Sequence, residues 1–261
     1  MTIPLSPTLP MKRQESLFIS DLHLSAERPW VVERFLGFIE FRASASDCLF
    51  ILGDLFDAYI GDDNNAWPFG SVKKALKQCT QGGTKVYFQN GNRDFLLGDR
   101  FVDETGVILL GDYHLHDLYG TQTLLTHGDL LCTDDVKYQL ARIKVRSDEW
   151  KSNALSKPLW IRKLYARWYR YKSGLDKGNK SYDIMDANVA KVNEILREYG
   201  SFRMIHGHTH RPQVHDFQLD GHLVQRFVLP EWNGEESILC WDEKGFQWEG
   251  VTWSPTSKPE A

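Results

Sequence analysis

Cysteine is scarce in this 261-residue chain: Cys48, Cys79, Cys132 and Cys240 stand far apart and form no CxxC pair. A disulfide framework and a thiolate zinc site are therefore not expected, and a reducing compartment is the simplest setting. Long apolar runs are missing too. Cys48–Leu52, at five residues, is typical of the longest, against the roughly 20 that a membrane-crossing helix needs, so no bilayer span is expected. The first residues carry Pro4, Pro7 and Pro10 and no apolar stretch of the signal-peptide kind. Residues 1–14 read as a disordered lead-in and 254–261 as a tail.

What remains is ordinary for a globular protein, 42% hydrophobic and 25% charged, and long enough to bury a sizeable core. Residues 15–253 are expected to form a single domain. The net charge of −4 hides an asymmetry. Between Lys137 and Lys180 there are 13 Lys or Arg against Asp148, Glu149 and Asp176, so the rest of the chain is strongly acidic. A basic central segment points to an anionic partner, and acids gathered in short loop motifs point to metal binding.

Short β-rich runs alternate with helical stretches, the pattern of a layered α/β fold. Leu17–Ser20 reads as a strand running into Asp21-Leu22-His23. A helix follows, with Pro29 in its first turn and Val32, Phe35, Leu36 and Ile39 on one stripe. Cys48–Leu52 is a second strand, ending in Gly53-Asp54. A helix over Ser71–Cys79 leads to a strand over Lys85–Phe88, which ends in Asn90-Gly91-Asn92-Arg93-Asp94. Leu115–Leu118 and Thr123–Thr126 flank Tyr119-Gly120 as a hairpin that delivers His127-Gly128-Asp129. Residues 133–200 are expected to be helical, with one amphipathic helix opened by Pro158 and a last one capped by Ser181. Phe202–Ile205 is a strand delivering His206-Gly207-His208-Thr209-His210, and hairpins turn at Asp220-Gly221 and near Lys244-Gly245.

Five times, then, a strand-like run ends in side chains of metal-ligand type: Asp21 with His23, Asp54, Asn92, His127, and His208 with His210. A single Asp at a strand end is ordinarily a turn former or a cap; the ordered set is what carries information. Sites in layered α/β folds form where strand ends and their loops converge. On an extended segment residues two apart point the same way, so one ion can take both Asp21 and His23. His208 and His210 share that spacing, although a tight loop would direct them to two neighbouring ions. Seven ligands exceed one open site and suit two ions about 3.5–4 Å apart, clamping the attacking and leaving oxygens of a phosphoryl transfer. Mixed oxygen and imidazole donors favour Mn²⁺ or Fe²⁺, with Zn²⁺ open. His114, His116, His206, His215 and His222 are expected in structural positions. Asp57, Asp62, Asp63 and Asp134 either orient ligands or end helices.

The series Asp-x-His, Gly-Asp, Gly-Asn, His-Gly-Asp and Gly-His-Thr-His, from Ser20 to His210, resembles the calcineurin-like metallophosphoesterases. Gly61-Asp62-Asp63, the run from Gly91 to Gly98, Cys132-Thr133-Asp134-Asp135 and the stretch from His206 to Pro212 narrow the resemblance to one family. It is similar to the UDP-2,3-diacylglucosamine diphosphatases, manganese enzymes of lipid A synthesis in Gram-negative bacteria. The resemblance implies a sandwich of two β-sheets flanked by helices, with the 133–200 insertion as a lid or acyl-chain-binding cap. It implies two Mn²⁺ per chain, one on Asp21, His23, Asp54 and His210, the other on Asp54 as a bridge with Asn92, His127 and His208. Substrate contacts would come from Asn92, Arg93, Asp135, Ser173, Lys177, Lys180 and His208, and catalytic roles from Asp54, Asn92, Arg93 and His208. The implied reaction is water attack on the α-phosphorus of UDP-2,3-diacylglucosamine, giving UMP and 2,3-diacylglucosamine 1-phosphate. The implied location is the cytoplasmic face of the inner membrane, peripherally bound to its anionic surface, with no nucleic-acid partner. The sequence departs from the family pattern at Lys177, where a small polar residue is usual. It departs again at Pro230-Glu231-Trp232, which replaces a glycine-containing junction where no ligand is expected.

Arg93 bears on the substrate class. Many metallophosphoesterases place a His after the Gly-Asn ligand, able to protonate a departing alkoxide. Arg cannot serve as a general acid but clamps phosphate oxygens, and a phosphate leaving group, with a second pKa of about 6, departs without a proton. In the insertion, Trp160, Ile161, Leu164, Tyr165 and Trp168 would line an acyl groove, rest on a bilayer or pack on the sheet. Arg162, Lys163, Arg167 and Arg170 would meet anionic headgroups or form a solvated face. The rivals are a nucleotide phosphodiesterase or nuclease on the same scaffold, and a non-catalytic scaffold, against which the full ligand set argues.

Overall fold

In the computed structural model residues 13–177, 186–234 and 237–251 are described, the side chains of 171–177 excepted. One sheet contains β1 (Arg13–Ile19), β2 (Ser46–Leu52), β3 (Lys85–Gln89) and β4 (Ile108–Leu110), all parallel. Two antiparallel strands, β10 (Ser237–Asp242) and β11 (Gly245–Gly250), extend it, in the order β11-β10-β1-β2-β3-β4. The second sheet holds β5 (Tyr113–Leu118), β6 (Thr121–Thr126), β7 (Arg203–His206), β8 (Gln213–Leu219) and β9 (His222–Val228). Its order is β5-β6-β7-β9-β8, with β6, β7 and β9 parallel.

Burial on two faces explains the apolar runs. Successive side chains of a strand point to opposite faces. Leu17, Ile19, Leu49 and Ile51 pack toward α1 (Pro29–Phe41), α2 (Phe69–Gln81) and α3 (Asp99–Thr105). Phe18, Phe50 and Leu52 point instead to the second sheet and meet Leu125, Ile205 and Phe227. Phe50 is stacked between Phe18 at 4.7 Å and Tyr87 at 4.6 Å. The outer face of the second sheet packs Leu124, Met204 and Val224 on Val192, Ile195 and Leu196 of α7 (Val189–Tyr199). The layers therefore run helices, sheet, sheet, helix, the expected sandwich. Just past α1, buried Arg42 forms a two-pronged pair with Glu15 of β1 and reaches Glu249 of β11, tying that edge together.

Three two-residue hairpins turn where expected, two with positive φ at Tyr119-Gly120 and Asp220-Gly221, as right-twisted strands favour, and the third at Glu243-Lys244 with positive φ at Gly245 just after the loop. β1 starts at Arg13, inside the expected lead-in. β4 and α3 add to the elements read from sequence; α3 begins where Asp62 accepts the amides of Gly98 and Phe101. The helical stretch is divided. α4 (Val136–Arg146), α5 (Asp148–Leu155) and α6 (Leu159–Lys177) are separate from α7. Side chains of Asp135, Ser147 and Asn188 cap α4, α5 and α7. Asn188, not Ser181, thus caps the last helix, and Ser181 lies outside the described residues. No helix among the described residues is long and apolar enough to cross a membrane.

Candidate metal centre

Parallel strands bring their carboxyl ends to one edge, and the seven candidate ligands follow those ends. The loops after β1 and β2 keep pairing beyond the strands: Asp21 N–H donates to Gly53 O at 3.1 Å and His23 N–H to Asp54 O at 3.0 Å. Neither loop stays extended. Asp21, His23, Asp54, His208 and His210 have φ between 50° and 67°, the left-handed region that residues with a Cβ seldom adopt. Strain of this kind persists where surrounding structure over-determines it, and it gathers at functional sites. Glycines give the side chains room. A Cβ on Gly91 would lie 2.1 Å from Asp54 Oδ1, one on Gly207 2.3 Å from Asp21 Oδ2, and one on Gly53 2.4 Å from His127 Nδ1.

Two overlapping groups result: Asp21, His23 and His210, and Asp21, Asp54 and His127. Asp54 lies between the halves, Oδ2 3.9 Å from His23 Nδ1 and Oδ1 3.8 Å from His127 Nε2. Asn92 Oδ1 is 3.1 Å from His127 Nε2 and 3.0 Å from His208 Nδ1. His208 and His210 diverge: His208 sides with Asn92 and His127, while His210 Nε2 is 3.3 Å from Asp21 Oδ1. The two imidazoles thus face different groups, in a segment that is left-handed at both residues.

Burial pushes His208 down to about 3, with His127 adding repulsion, and His23 down to about 4. It pushes the Asp54 carboxyl up to about 6. His210 goes the other way: burial opposes its charge, but the carboxylates of Asp21 and Glu231 hold it up at about 10. Asp21 is lowered despite its burial, because His210, His127 and His23 surround it. His23 Nδ1 is buried and makes no hydrogen bond, and buried Asp21 Oδ1 has His210 Nε2 beside it at 3.3 Å. Buried polar atoms are normally satisfied. An imidazole nitrogen left in this state among carboxylate oxygens fits a divalent cation.

Residues 16–212 match the calcineurin-like phosphoesterase family. Proteins named UDP-2,3-diacylglucosamine hydrolase align with the chain along nearly their whole length. The one from Haemophilus ducreyi is 47% identical, covering 88% of this chain and 97% of its own. Those from Aliivibrio fischeri and Xanthomonas axonopodis pv. citri are 44% and 42% identical, covering 87% and 88% of this chain and 95% and 96% of their own. The chain belongs to the calcineurin-like phosphoesterases, in the UDP-2,3-diacylglucosamine hydrolase family.

Around the phosphoesterase centre a second layer ties the loops together. Asp94 accepts the amides of Leu55 and Gly91, each at 2.7 Å, joining the Asp54 and Asn92 loops; burial and nearby Asp54 push it up to about 7. Asp129 accepts from Tyr138 at 2.6 Å and Arg142 at 2.7 Å, and Arg146 donates to Gly91 O at 2.8 Å, so α4 is fastened to the centre. Asp57 pairs with Arg170, Asp63 with Arg162 and Asp134 with Asn188, bracing the helices. His206 is buried, with Nδ1 2.8 Å from Gly207 O, and His116 packs edge-on to Phe50, both structural as expected. Glu231 is the residue that sequence reasoning misses. Placed where no ligand is expected, it sets a carboxylate oxygen 2.9 Å from His210 Nδ1. Its only sequence signal is the departure from the family pattern.

A cavity of about 500 Å³ lies alongside, lined by Asn92 and Arg93 and by mainly apolar groups that include Phe95, Val145, Trp150, Tyr165 and Trp168. Arg93 N–H also donates to Asp54 Oδ1 at 2.8 Å. Asp135 caps α4 by accepting Tyr138 N–H at 3.1 Å. Ser173 and Lys177 fall on the last turns of α6, where side chains lie outside the described residues, as Lys180 does altogether. Two of the four bases expected to meet headgroups do not face outward freely. Arg162 is buried against Asp63 and Ile60 O, and Arg170 is paired with Asp57, because both brace α6 to the Asp57–Asp63 loop. Lys163 and Arg167 are exposed. So are Trp160, Leu164, Tyr165 and Trp168, and the apolar stripe is therefore not packed on the sheet.

Proposed function

We propose that this phosphoesterase uses two Mn²⁺ to hydrolyse UDP-2,3-diacylglucosamine to UMP and 2,3-diacylglucosamine 1-phosphate. The observation that carries the reading is Asp54, one oxygen turned to His23 and the other to His127, next to a mainly apolar cavity that also presents Arg93. Asp21, His23, Asp54 and His210 would hold one ion, and Asp54, Asn92, His127 and His208 the other. When bound, the pair supplies an activated water and neutralises charge on the phosphoryl oxygens. Arg93 clamps the diphosphate by charge-assisted hydrogen bonds, while its amide steadies Asp54. Its permanent charge suits a phosphate leaving group that departs without a proton. Trp150, Tyr165 and Trp168 give the acyl chains an apolar wall. Asp135, Ser173, Lys177 and Lys180 are assigned to the sugar-nucleotide head. The exposed Trp160 and Leu164, with Lys163 and Arg167 beside them, would rest on the anionic cytoplasmic face of the inner membrane.

The test is hydrolysis of UDP-2,3-diacylglucosamine with Mn²⁺ in ¹⁸O-labelled water. Label is expected in UMP. Label in the sugar phosphate would reverse the direction of attack, and no turnover by fully metal-loaded protein would refute the substrate.

A further inference from the structure

Outside the seven candidate ligands, a titratable side chain is aimed at the centre from the Pro230-Glu231-Trp232 junction, where no ligand is expected. β9 ends at Val228, and the chain then runs on to Trp232 beside Asp21. It is anchored on the way. Leu229 N–H donates to His206 O at 2.7 Å and Trp232 N–H to Asp21 O at 3.2 Å. The Trp232 ring is fully buried, edge-on to Phe35 and Phe38, and Arg28 donates to its carbonyl. Glu231 is thereby held between two fixed points. Its Oε2 lies 2.9 Å from His210 Nδ1, while His210 Nε2 faces Asp21 Oδ1 at 3.3 Å.

An imidazole has one nitrogen to offer a metal and one to be held by. A carboxylate on the second nitrogen fixes the tautomer, pins the ring and raises the basicity of the first. His210 needs that restraint more than most, since its backbone sits at φ 54° and its ring is about a quarter exposed. We infer that Glu231 is a positioning residue that holds His210 with Nε2 toward the Asp21–His23 group, and so sets the affinity of that one metal position. The inference rests on the reading of His210 as a ligand. Glu231 does not touch the second group, in which His208 stands with Asn92 and His127. A lost Glu231 should therefore loosen one ion and spare the other.

The experiment is Mn²⁺ titration of the metal-stripped full chain, with free Mn²⁺ followed by electron paramagnetic resonance, for wild type, Glu231→Ala, Glu231→Gln and His210→Ala. Unfolding of each stripped protein is measured in parallel. Glu231 is partly exposed, and its removal strands no buried partner except His210 itself. Stripped Glu231→Ala loses the His210 pair, so the unfolding measurement separates that loss of stability from the change in Mn²⁺ affinity. One of two equivalents should weaken about 10–100-fold in Glu231→Ala and less in Glu231→Gln, which keeps an acceptor oxygen without the charge. Turnover should recover at high Mn²⁺. Wild-type affinity at both positions in Glu231→Ala, with one position lost in His210→Ala, would overturn the role of Glu231 alone. Both equivalents intact in His210→Ala would overturn the ligand reading and this inference with it.

Discussion

Gly91→Ala tests the centre at its tightest point. Gly91 follows β3 directly before Asn92, its amide held by Asp94 and its carbonyl by Arg146. An added methyl would lie 2.1 Å from Asp54 Oδ1 and 2.3 Å from the Asp54 amide nitrogen. Ordinary contact begins near 3.4 Å, so one loop must give by about 1.3 Å. Neither gives easily, because Asp54 is tied to His23 through its carbonyl and to Arg93 through its carboxylate. Overpacking of this kind costs about 1–3 kcal/mol, which in a protein of this size lowers Tm by roughly 2–12 °C. The chemical effect should be larger in proportion, since a misplacement near 1 Å in a reacting group is worth about 10²-fold in rate. Asp54 faces both halves of the site, so Mn²⁺ at both positions should weaken together. Metal content after gel filtration, with turnover at matched Mn²⁺, reads both effects. Two ions bound as in wild type and an unchanged rate would refute the claim that Gly91 is there to seat Asp54.

Arg42→Met should strand Glu15, itself 6% exposed, and breaking a buried pair costs about 3–5 kcal/mol. The unfolding midpoint should then fall by roughly 6–20 °C while turnover at low temperature stays unchanged; an unmoved midpoint would show the network to be dispensable. Arg93→His should not raise diphosphate hydrolysis, because the leaving phosphate needs no proton, and a faster variant in steady-state assays would overturn that account. Vesicles containing anionic lipid should float the protein in a salt-sensitive way, less so for Trp160→Ala combined with Lys163→Ala. Absence of salt-sensitive flotation would rule out the interfacial role of α6.

Local signals were legible without any structure. The apolar runs around Leu17, Leu49 and Val86 are strands because both their faces are covered, and Tyr119-Gly120 and Asp220-Gly221 turn because short hairpin loops demand positive φ. α3 and β4 carry too few periodic residues to announce themselves, and the start of α7 depends on which side chain caps it. At the centre, the amino-acid order by itself determined which residue types follow each strand end, and parallel strands then bring those ends to one edge. Only the tertiary structure decided how they face one another. Left-handed backbone at Asp21, His23, Asp54, His208 and His210 breaks the extended-strand rule: Asp21 and His23 still meet in one group, while His208 and His210 part. Glu231 reaches His210 across 21 residues because Trp232 is buried under α1. Arg162 and Arg170 turned inward for a like reason, since carboxylates at Asp63 and Asp57 wait beneath α6. Spacing along a chain records direction only while the backbone is regular, and this site is built where it is not.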